Sequence, residues 1–187
     1  MDTIETMSRP PRARERVLDA FEAIVIEEGP RAATMDATAR AAEVSKGGLL
    51  YHFASKEALE AGLLERMERL AVEDMDEIRT AAEGPVAAFM RTSIMDGSAL
   101  DRAIVAASRL AQGGSRMSAD AVRRVRELWE ETLRPHTRDE TALQLVMLVS
   151  DGLYFNNALT VGSIATPVPR GDGLDALIAL VEAATRA

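Results

Sequence analysis

The chain has 187 residues, of which 47% are apolar and 28% are charged, a composition typical of a folded globular protein rather than a disordered one. It contains no cysteine, which excludes disulfides and thiol chemistry. No run of about 18 apolar residues and no signal-peptide pattern occurs, so we predict a cytoplasmic protein without a transmembrane helix.

The net charge of −8 is distributed unevenly along the chain. Residues 8–56 carry eight Lys or Arg and seven Asp or Glu, whereas residues 57–187 carry 14 and 21. The acidity lies in the C-terminal part, so it does not exclude a nucleic-acid surface in the N-terminal part. It does not establish such a surface either.

Apolar residues recur at helical spacing along most of the chain, and the alternation typical of strands is nearly absent. This spacing predicts a first helix that ends near Gly29–Pro30. It also predicts a longer helix from Lys56 to about Ala82, which Gly84–Pro85 stops.

Two short helices are predicted between these longer ones. Thr34 is a good N-cap for a helix that runs to about Ala42, and Ser45 can cap another from Lys46 to Phe53. Two short helices joined by so tight a turn form a helix-turn-helix, whose second helix enters the major groove of DNA.

Gly47 and Gly48 lie at the start of this second helix, although each glycine costs a helix about 1 kcal/mol relative to alanine. Without a side chain, the backbone can approach base edges and thymine methyl groups closely. Lys46 can reach a base edge or a phosphate, and the positive N-terminus of the helix favours a phosphate nearby. The glycines therefore indicate a helix that is pressed against DNA.

The segment "TMDATARAAEVSKGGLLYHFASKEAL" resembles the DNA-binding motif of the tetracycline-repressor (TetR) family of bacterial transcriptional regulators. Family members typically show a threonine cap, an apolar-alanine pattern, "GVSKG", an aromatic-rich recognition helix and "SKEAL" at the start of the fourth helix. The close match covers roughly residues 12–64. The matching residues are Thr34, Ala39, Ala42, Val44–Gly47, Tyr51–Phe53 and Ser55–Leu59.

The resemblance implies an all-α homodimeric repressor that binds double-stranded operator DNA and a small-molecule effector. It implies a three-helix helix-turn-helix domain over residues 9–64 and a larger helical ligand-binding and dimerisation domain over residues 65–187. By position, the residues expected to meet bases and nearby backbone are Lys46, Gly47, Gly48, Leu50 and Tyr51. Those expected to meet phosphates are Thr34, Ser45, His52 and Lys56.

Three positions depart from the family pattern. Glu43 replaces the glycine usual at the turn, so that residue either leaves the left-handed conformation or carries strain. Thr38 occupies what is usually an aliphatic core position, where its hydroxyl can bond back to its own helix. Leu50 stands where an aromatic residue is common, which removes a hydroxyl contact to phosphate.

Several side chains have an ordinary interpretation beside the functional one. Leu49 and Phe53 are expected in the core of the small domain. For Tyr51 we favour phosphate binding over packing, whereas His52 fits a solvent-exposed position nearly as well. The N-terminal arginines are expected to form a disordered, solvated arm, with a DNA-contacting role as the alternative. These are Arg9, Arg12, Arg14 and Arg16.

Beyond Pro85 we predict helices at about 85–96, 99–112, 118–134, 139–160 and 172–186. The helix at 139–160 is apolar almost all round, so both of its faces need cover, and a second copy of the chain is the simplest partner. The last helix also has a broad apolar face. We therefore predict a homodimer through the helices near 139–160 and 172–186.

Apolar residues in the C-terminal domain are candidates for an effector cavity, although each is individually more typical of ordinary core. The candidates are Phe89, Met90, Ile104, Val125, Trp129, Met147 and Tyr154. Few fixed charges accompany them, which predicts a largely apolar effector. Four polar residues in the apolar helix, Gln144, Asp151, Asn156 and Asn157, either orient a ligand or, as we prefer, form a hydrogen-bonded set at the dimer interface.

Two other classes of protein are considered. A helical-bundle enzyme needs converging chemistry such as Glu-x-x-His pairs, and the sequence contains none. A ligand-independent architectural DNA-binding protein would not need the large apolar C-terminal domain. We therefore expect a regulator without catalysis, metal or cofactor.

Overall fold

A computed structural model describes residues 10–158 and 168–186, apart from the side chains of residues 10, 11, 157 and 158. Within these ranges the chain forms nine α-helices and no strand, which confirms the predicted all-α class. None of these helices has both the length and the apolar character needed to cross a membrane. The helices are α1 (Pro10–Glu27), α2 (Met35–Ala41), α3 (Lys46–His52), α4 (Lys56–Thr80), α5 (Pro85–Thr92), α6 (Ala99–Gln112), α7 (Arg116–Leu133), α8 (Glu140–Ala158) and α9 (Asp172–Thr185), with a 3-10 turn at Arg134–His136.

The capping residues predicted for the short helices occupy those positions. The Thr34 hydroxyl oxygen accepts a hydrogen bond from the Ala37 N–H at 3.2 Å. Ser45 Oγ accepts from the Gly48 N–H at 3.0 Å at the start of α3. Both residues have the extended backbone of an N-cap, so each helix begins where its hydroxyl satisfies a free backbone donor.

The predicted end of α5 is wrong by four residues, and the predicted start of α7 differs by two. Helix α5 ends at Thr92 rather than at 96, because the chain turns to place the N–H groups of residues 96, 97 and 98 on the Asp101 carboxylate at 3.0–3.2 Å. Helix α7 begins at Arg116 rather than 118, because Ser115 Oγ accepts from the Ser118 N–H at 3.2 Å. The part of the predicted helix at 159–160 lies outside the described residues.

The turn between α2 and α3 is built on a left-handed residue that is not glycine. Glu43 has φ 53°, so the chain keeps the left-handed geometry of the family turn despite its side chain. The Glu43 N–H bonds to the Arg40 carbonyl at 3.2 Å, and the Val44 N–H bonds to the Ala39 carbonyl at 3.0 Å. This pair of bonds is the Schellman ending of a helix, in which glycine normally holds the left-handed position.

The Thr38 hydroxyl does not bond back to its own helix. Thr38 is completely buried, and its Oγ1 has no hydrogen-bond partner. The residue occupies the aliphatic core position of the family pattern, and its side chain is wholly buried there. An unpaired buried hydroxyl lowers stability by about 1–3 kcal/mol.

The chain divides into two compact units that are each discontinuous in sequence. The first comprises the residues up to Glu68 together with Arg102–Val122, and the second comprises Arg69–Asp101 and the residues from Arg123 onward. Helix α4 therefore contributes to both units. The first unit contains α1, α2 and α3 and also takes in most of α6, a segment far along the chain.

An ion-pair network holds α4 to α1 in the first unit. Arg66, only 8% exposed, donates to Asp19 at 2.7 Å and to Glu15 at 2.7 Å. Glu22 lies 3.6 Å from Arg66 and accepts from Arg102 of α6 at 3.0 Å. Burial raises the pKa of Glu22, although both arginines oppose that rise.

The core of the second unit joins α4, α5, α8 and α9. It contains Phe89, Met90, Leu143, Met147 and Ile178, all nearly inaccessible to solvent. Helix α9 returns to the start of α8, where the Arg138 N–H donates to the Thr185 carbonyl at 2.9 Å.

We expect Glu43→Gly to stabilise the protein by about 1 kcal/mol or less. The substitution removes the strain of about 1–2 kcal/mol that a side chain has in the left-handed region, and the greater entropy of the unfolded glycine offsets part of this gain. Thermal unfolding monitored by circular dichroism measures the change. Glu65→Gly, an exposed position within α4, is the matched control and should instead lower stability by about 1 kcal/mol. Equal destabilisation by both substitutions would contradict a strained Glu43.

Candidate nucleic-acid interface and effector cluster

Helix α3 has one face in the core and one face in solvent. Leu49 and Phe53 are almost fully buried, which confirms that they are core residues. Tyr51 is 80% exposed and Leu50 is 44% exposed, an unusual degree of exposure for large apolar side chains. The outward face of the helix therefore offers an aromatic ring, an aliphatic side chain and glycine backbone to whatever approaches.

The two glycines of α3 differ in what the fold requires of them. A Cβ atom at Gly48 would lie 3.2 Å from Ser45 Oγ, so a side chain there crowds the capping hydroxyl. A Cβ atom at Gly47 would meet nothing within 4 Å. Packing within the protein therefore explains the absence of a side chain at Gly48, but it does not explain the absence of one at Gly47.

The two lysines of the motif have intramolecular partners. Lys46 Nζ lies 2.9 Å from Asp36 Oδ1, and both side chains are more than 60% exposed. Lys56 Nζ donates to the Pro30 carbonyl at 2.5 Å in a partly buried position. Lys46 is therefore held by a weak surface pair, whereas Lys56 also holds the loop between α1 and α2.

The C-terminal end of α3 is fixed by the Phe53 ring. A Cβ atom built on Gly62 of α4 would lie 2.8 Å from Phe53 Cε1, so the ring occupies the space left by that glycine. The Arg14 guanidinium lies 5.3 Å from the centre of the same ring, close enough for a cation–π interaction.

The expectation of a disordered N-terminal arm is wrong for three of its four arginines. Arg12, Arg14 and Arg16 lie within α1, which begins at Pro10. Arg14 also reaches Glu65 at 3.4 Å. Arg9 lies outside the described residues.

The second unit brings most of the candidate effector residues together. The rings of Phe89 and Trp129 are 5.7 Å apart, and both side chains pack in the same core as Met90 and Met147. Val125 is 2% exposed in the same unit. Ile104 belongs to the first unit.

Two acidic residues that the sequence interpretation missed contact these residues, Asp74 through its carboxylate and Asp101 through its backbone carbonyl. Trp129 Nε1 donates to Asp74 Oδ2 at 3.3 Å, and the Tyr154 hydroxyl donates to the Asp101 carbonyl at 3.3 Å. Burial raises the pKa of Asp74, and the charges of Glu77 and Asp101 raise it further, while the Trp129 hydrogen bond acts against this. Burial, with the nearby Asp101 charge, also raises the pKa of Tyr154. We call Asp74, Phe89, Asp101, Trp129 and Tyr154 the effector cluster.

Two of the four polar residues of α8, Asp151 and Asn156, have hydrogen-bond partners within the chain. Arg126 donates to both carboxylate oxygens of Asp151, at 3.0 and 2.8 Å. Asn156 donates to the Gly152 carbonyl of its own helix at 2.7 Å, and Gln144 lines a surface cavity of about 320 Å³. The side chain of Asn157 lies outside the described residues.

Comparison with known proteins identifies the class of the N-terminal unit. Residues 17–61 match the family described as bacterial regulatory proteins, tetR family. The HTH-type transcriptional regulator UidR of Escherichia coli (strain K12) is 40% identical over 70 residues, which are 37% of this chain and 35% of UidR. The matched region thus spans about a third of the length of that relative.

Solved structures resemble the chain over nearly its whole length. Salmonella enterica GusR has a TM-score of 0.66 at 17% identity and covers 96% of this chain and 98% of its own. A SmeT–triclosan complex has a TM-score of 0.64 at 18% identity, with coverage of 94% and 92%. At such identities the likeness concerns the fold.

Residues 17–61 therefore carry the helix-turn-helix motif of the bacterial regulatory type. The helical fold that follows this motif resembles the folds of the solved structures named above.

Proposed function

We propose that the protein is a ligand-responsive transcriptional repressor in the cytoplasm, which binds a palindromic operator as a homodimer and is released by a small effector. The observation that carries this proposal is the outward face of α3, where Gly47 leaves open space and Tyr51 is 80% exposed. The major groove of DNA is wide enough to admit one α-helix, and a glycine on the exposed face lets the backbone of α3 approach the bases.

In this proposal, α3 lies in the groove with Lys46, Gly47, Gly48, Leu50 and Tyr51 nearest the bases. Leu50 offers an apolar contact of the kind that recognises a thymine methyl group. Lys46 leaves Asp36 at little expense, because an exposed ion pair contributes about 0–1 kcal/mol.

Phosphate contacts in this proposal come from residues that flank α3. The hydroxyl oxygens of Thr34 and Ser45 accept backbone hydrogen bonds, so each hydroxyl hydrogen remains to donate to a phosphate oxygen. His52, packed edge-on to Tyr51, and Lys56 complete the set. Lys56 has further donor hydrogens beyond the one on Pro30.

The proposed homodimer rests on exposed apolar side chains of α8 and α9. Leu145, Leu148 and Phe155 are 40%, 66% and 56% exposed and recur at intervals of three and seven, along one face of α8. Leu180 of α9 is 68% exposed. Pairing these helices with those of a second copy covers this apolar surface and places two recognition helices on a palindromic site.

The proposed effector has a largely apolar body, because the residues that surround the effector cluster are apolar and aromatic. A related fold has been solved with triclosan bound, in SmeT. The alternatives of a helical-bundle enzyme or an architectural protein have weaker support. Neither accounts for both the tetR-family motif and the aromatic residues of the second unit.

We expect Gly47→Leu to weaken operator binding at least 100-fold. Thermal stability should change only by the small increase that follows when a helical glycine is replaced by a better helix former. The added side chain meets nothing in the free protein but holds α3 away from the groove. The wild-type protein is first used to select a duplex from a random library. Fluorescence anisotropy then measures the affinity of each variant for that duplex. Gly47→Ala is the graded control and should lose less affinity.

Lys46→Ala should lose about 1–3 kcal/mol of affinity for the same duplex if Lys46 reads a base. Unchanged affinity in folded Gly47→Leu protein would refute the placement of α3.

We expect Leu148→Asp combined with Leu180→Asp to produce monomers, because each charge would lie in the centre of the proposed apolar interface. Sedimentation equilibrium at micromolar concentration measures the mass. Val72→Asp is the matched control, since Val72 is also exposed, at 47%, but lies on α4. A wild-type protein that is already monomeric would contradict the proposed assembly.

A further inference from the structure

Asp74 is partly buried, and it differs from the fully buried acidic residues that the structure describes. Glu22 has two arginine partners, Glu60 accepts from Ser118 Oγ at 2.7 Å and from Ser115, and Asp101 accepts three backbone N–H groups. Among the residues that the structure describes, Asp74 receives a single hydrogen bond, from the uncharged indole of Trp129. No Lys, Arg or His of the described chain pairs with it.

The acidic groups near Asp74 further disfavour the negative charge of its carboxylate. Glu77 and Asp101 are acidic, so their fields add to the burial that disfavours the carboxylate charge. A partly desolvated carboxylate without a cation gains free energy when a cation is brought to it. The protein supplies no such cation from its own described residues.

The surroundings of Asp74 suit a cation that carries an apolar group. Trp129 lies beside the carboxylate, and its ring centre is 5.7 Å from that of Phe89. In the same unit the Tyr154 hydroxyl donates to the backbone carbonyl of Asp101 at 3.3 Å. Aromatic faces attract cations, with Trp the strongest, and they also cover apolar groups. A carboxylate among aromatic rings is therefore complementary to an organic ammonium group rather than to a neutral or anionic one.

We propose that the effector cluster binds an amphipathic organic cation, with Asp74 as the counter-ion of its ammonium group and Trp129 and Phe89 against its apolar body. This inference rests on the proposed function and narrows the class of effector from apolar compounds to amines with an apolar body. Asp74 thereby becomes the residue that determines specificity for charge.

Three probes of the same shape test the proposal: 4-phenylbutylamine, 4-phenylbutanol and 4-phenylbutyrate. Trp129 is the only tryptophan of the chain, so intrinsic fluorescence of the full-length protein reports directly on this site. We expect the amine to bind at least ten-fold more tightly than the alcohol, and the carboxylate to bind most weakly. Equal affinities for amine and alcohol, or no fluorescence response to any probe, would overturn the proposal.

The variant Asp74→Asn keeps an oxygen acceptor for the Trp129 indole but removes the charge. We expect its preference for the amine over the alcohol to disappear while its affinity for the alcohol stays within about two-fold. Asp76→Asn is the matched control on α4, where the exposed carboxylate pairs with Arg79 at 2.6 Å, and its preference should match that of the wild type. A preference for the amine that survives in Asp74→Asn would exclude Asp74 as the counter-ion.

Operator affinity is measured separately with and without the amine. If the amine binds with the expected preference but leaves operator affinity unchanged, the site is supported and release of DNA by this effector is refuted. If the amine shows no preference, the site assignment fails whether or not the protein binds an operator.

Discussion

The contact of Arg66 with α1 joins the helices of the first unit, which contains α3. Its guanidinium is almost fully buried, donates to Asp19 and Glu15, and lies close to Glu22. Helix α1 packs in turn on α2 and α3, so this cation helps to hold α3 in place relative to α4, together with the Phe53 ring beside Gly62. Arg102 of α6 reaches the same network through Glu22, which gives a helix from a later part of the chain a direct contact with α1.

The sequence predicts those features that depend on neighbours within one or two turns. Thr34 and Ser45 cap their helices as predicted, since a capping hydroxyl needs only an N–H three residues away. The predicted limits of α6 and α8 differ from the observed ones by two residues or fewer within the described chain. The end of α5 was missed because the Asp101 carboxylate, beyond the turn, accepts the N–H groups there.

Contacts between distant parts of the chain could not be predicted in this way. Asp74 and Trp129 are 55 positions apart, and Glu22 and Arg102 are 80 apart, so no periodic pattern connects either pair. The sequence interpretation identified Trp129 by its type and overlooked Asp74, because a single acidic residue within a charged helix has no local signature. The roles proposed for the residues of α3 remain predictions for the same reason, since they concern a partner outside the chain.

The space between Phe53 and Gly62 restricts how this sequence can change. A methyl group at position 62 would overlap the ring at 2.8 Å and also approach Leu18 at 3.3 Å and Arg14 at 3.4 Å. A side chain can therefore appear at 62 only if position 53 first becomes smaller, and a smaller residue at 53 would leave a void beneath the end of α3 until position 62 fills it. These two positions, nine apart and on different helices, should vary as a pair. A change at either position alone would alter the packing beneath the end of α3, although the residues on the outward face of α3 would stay the same.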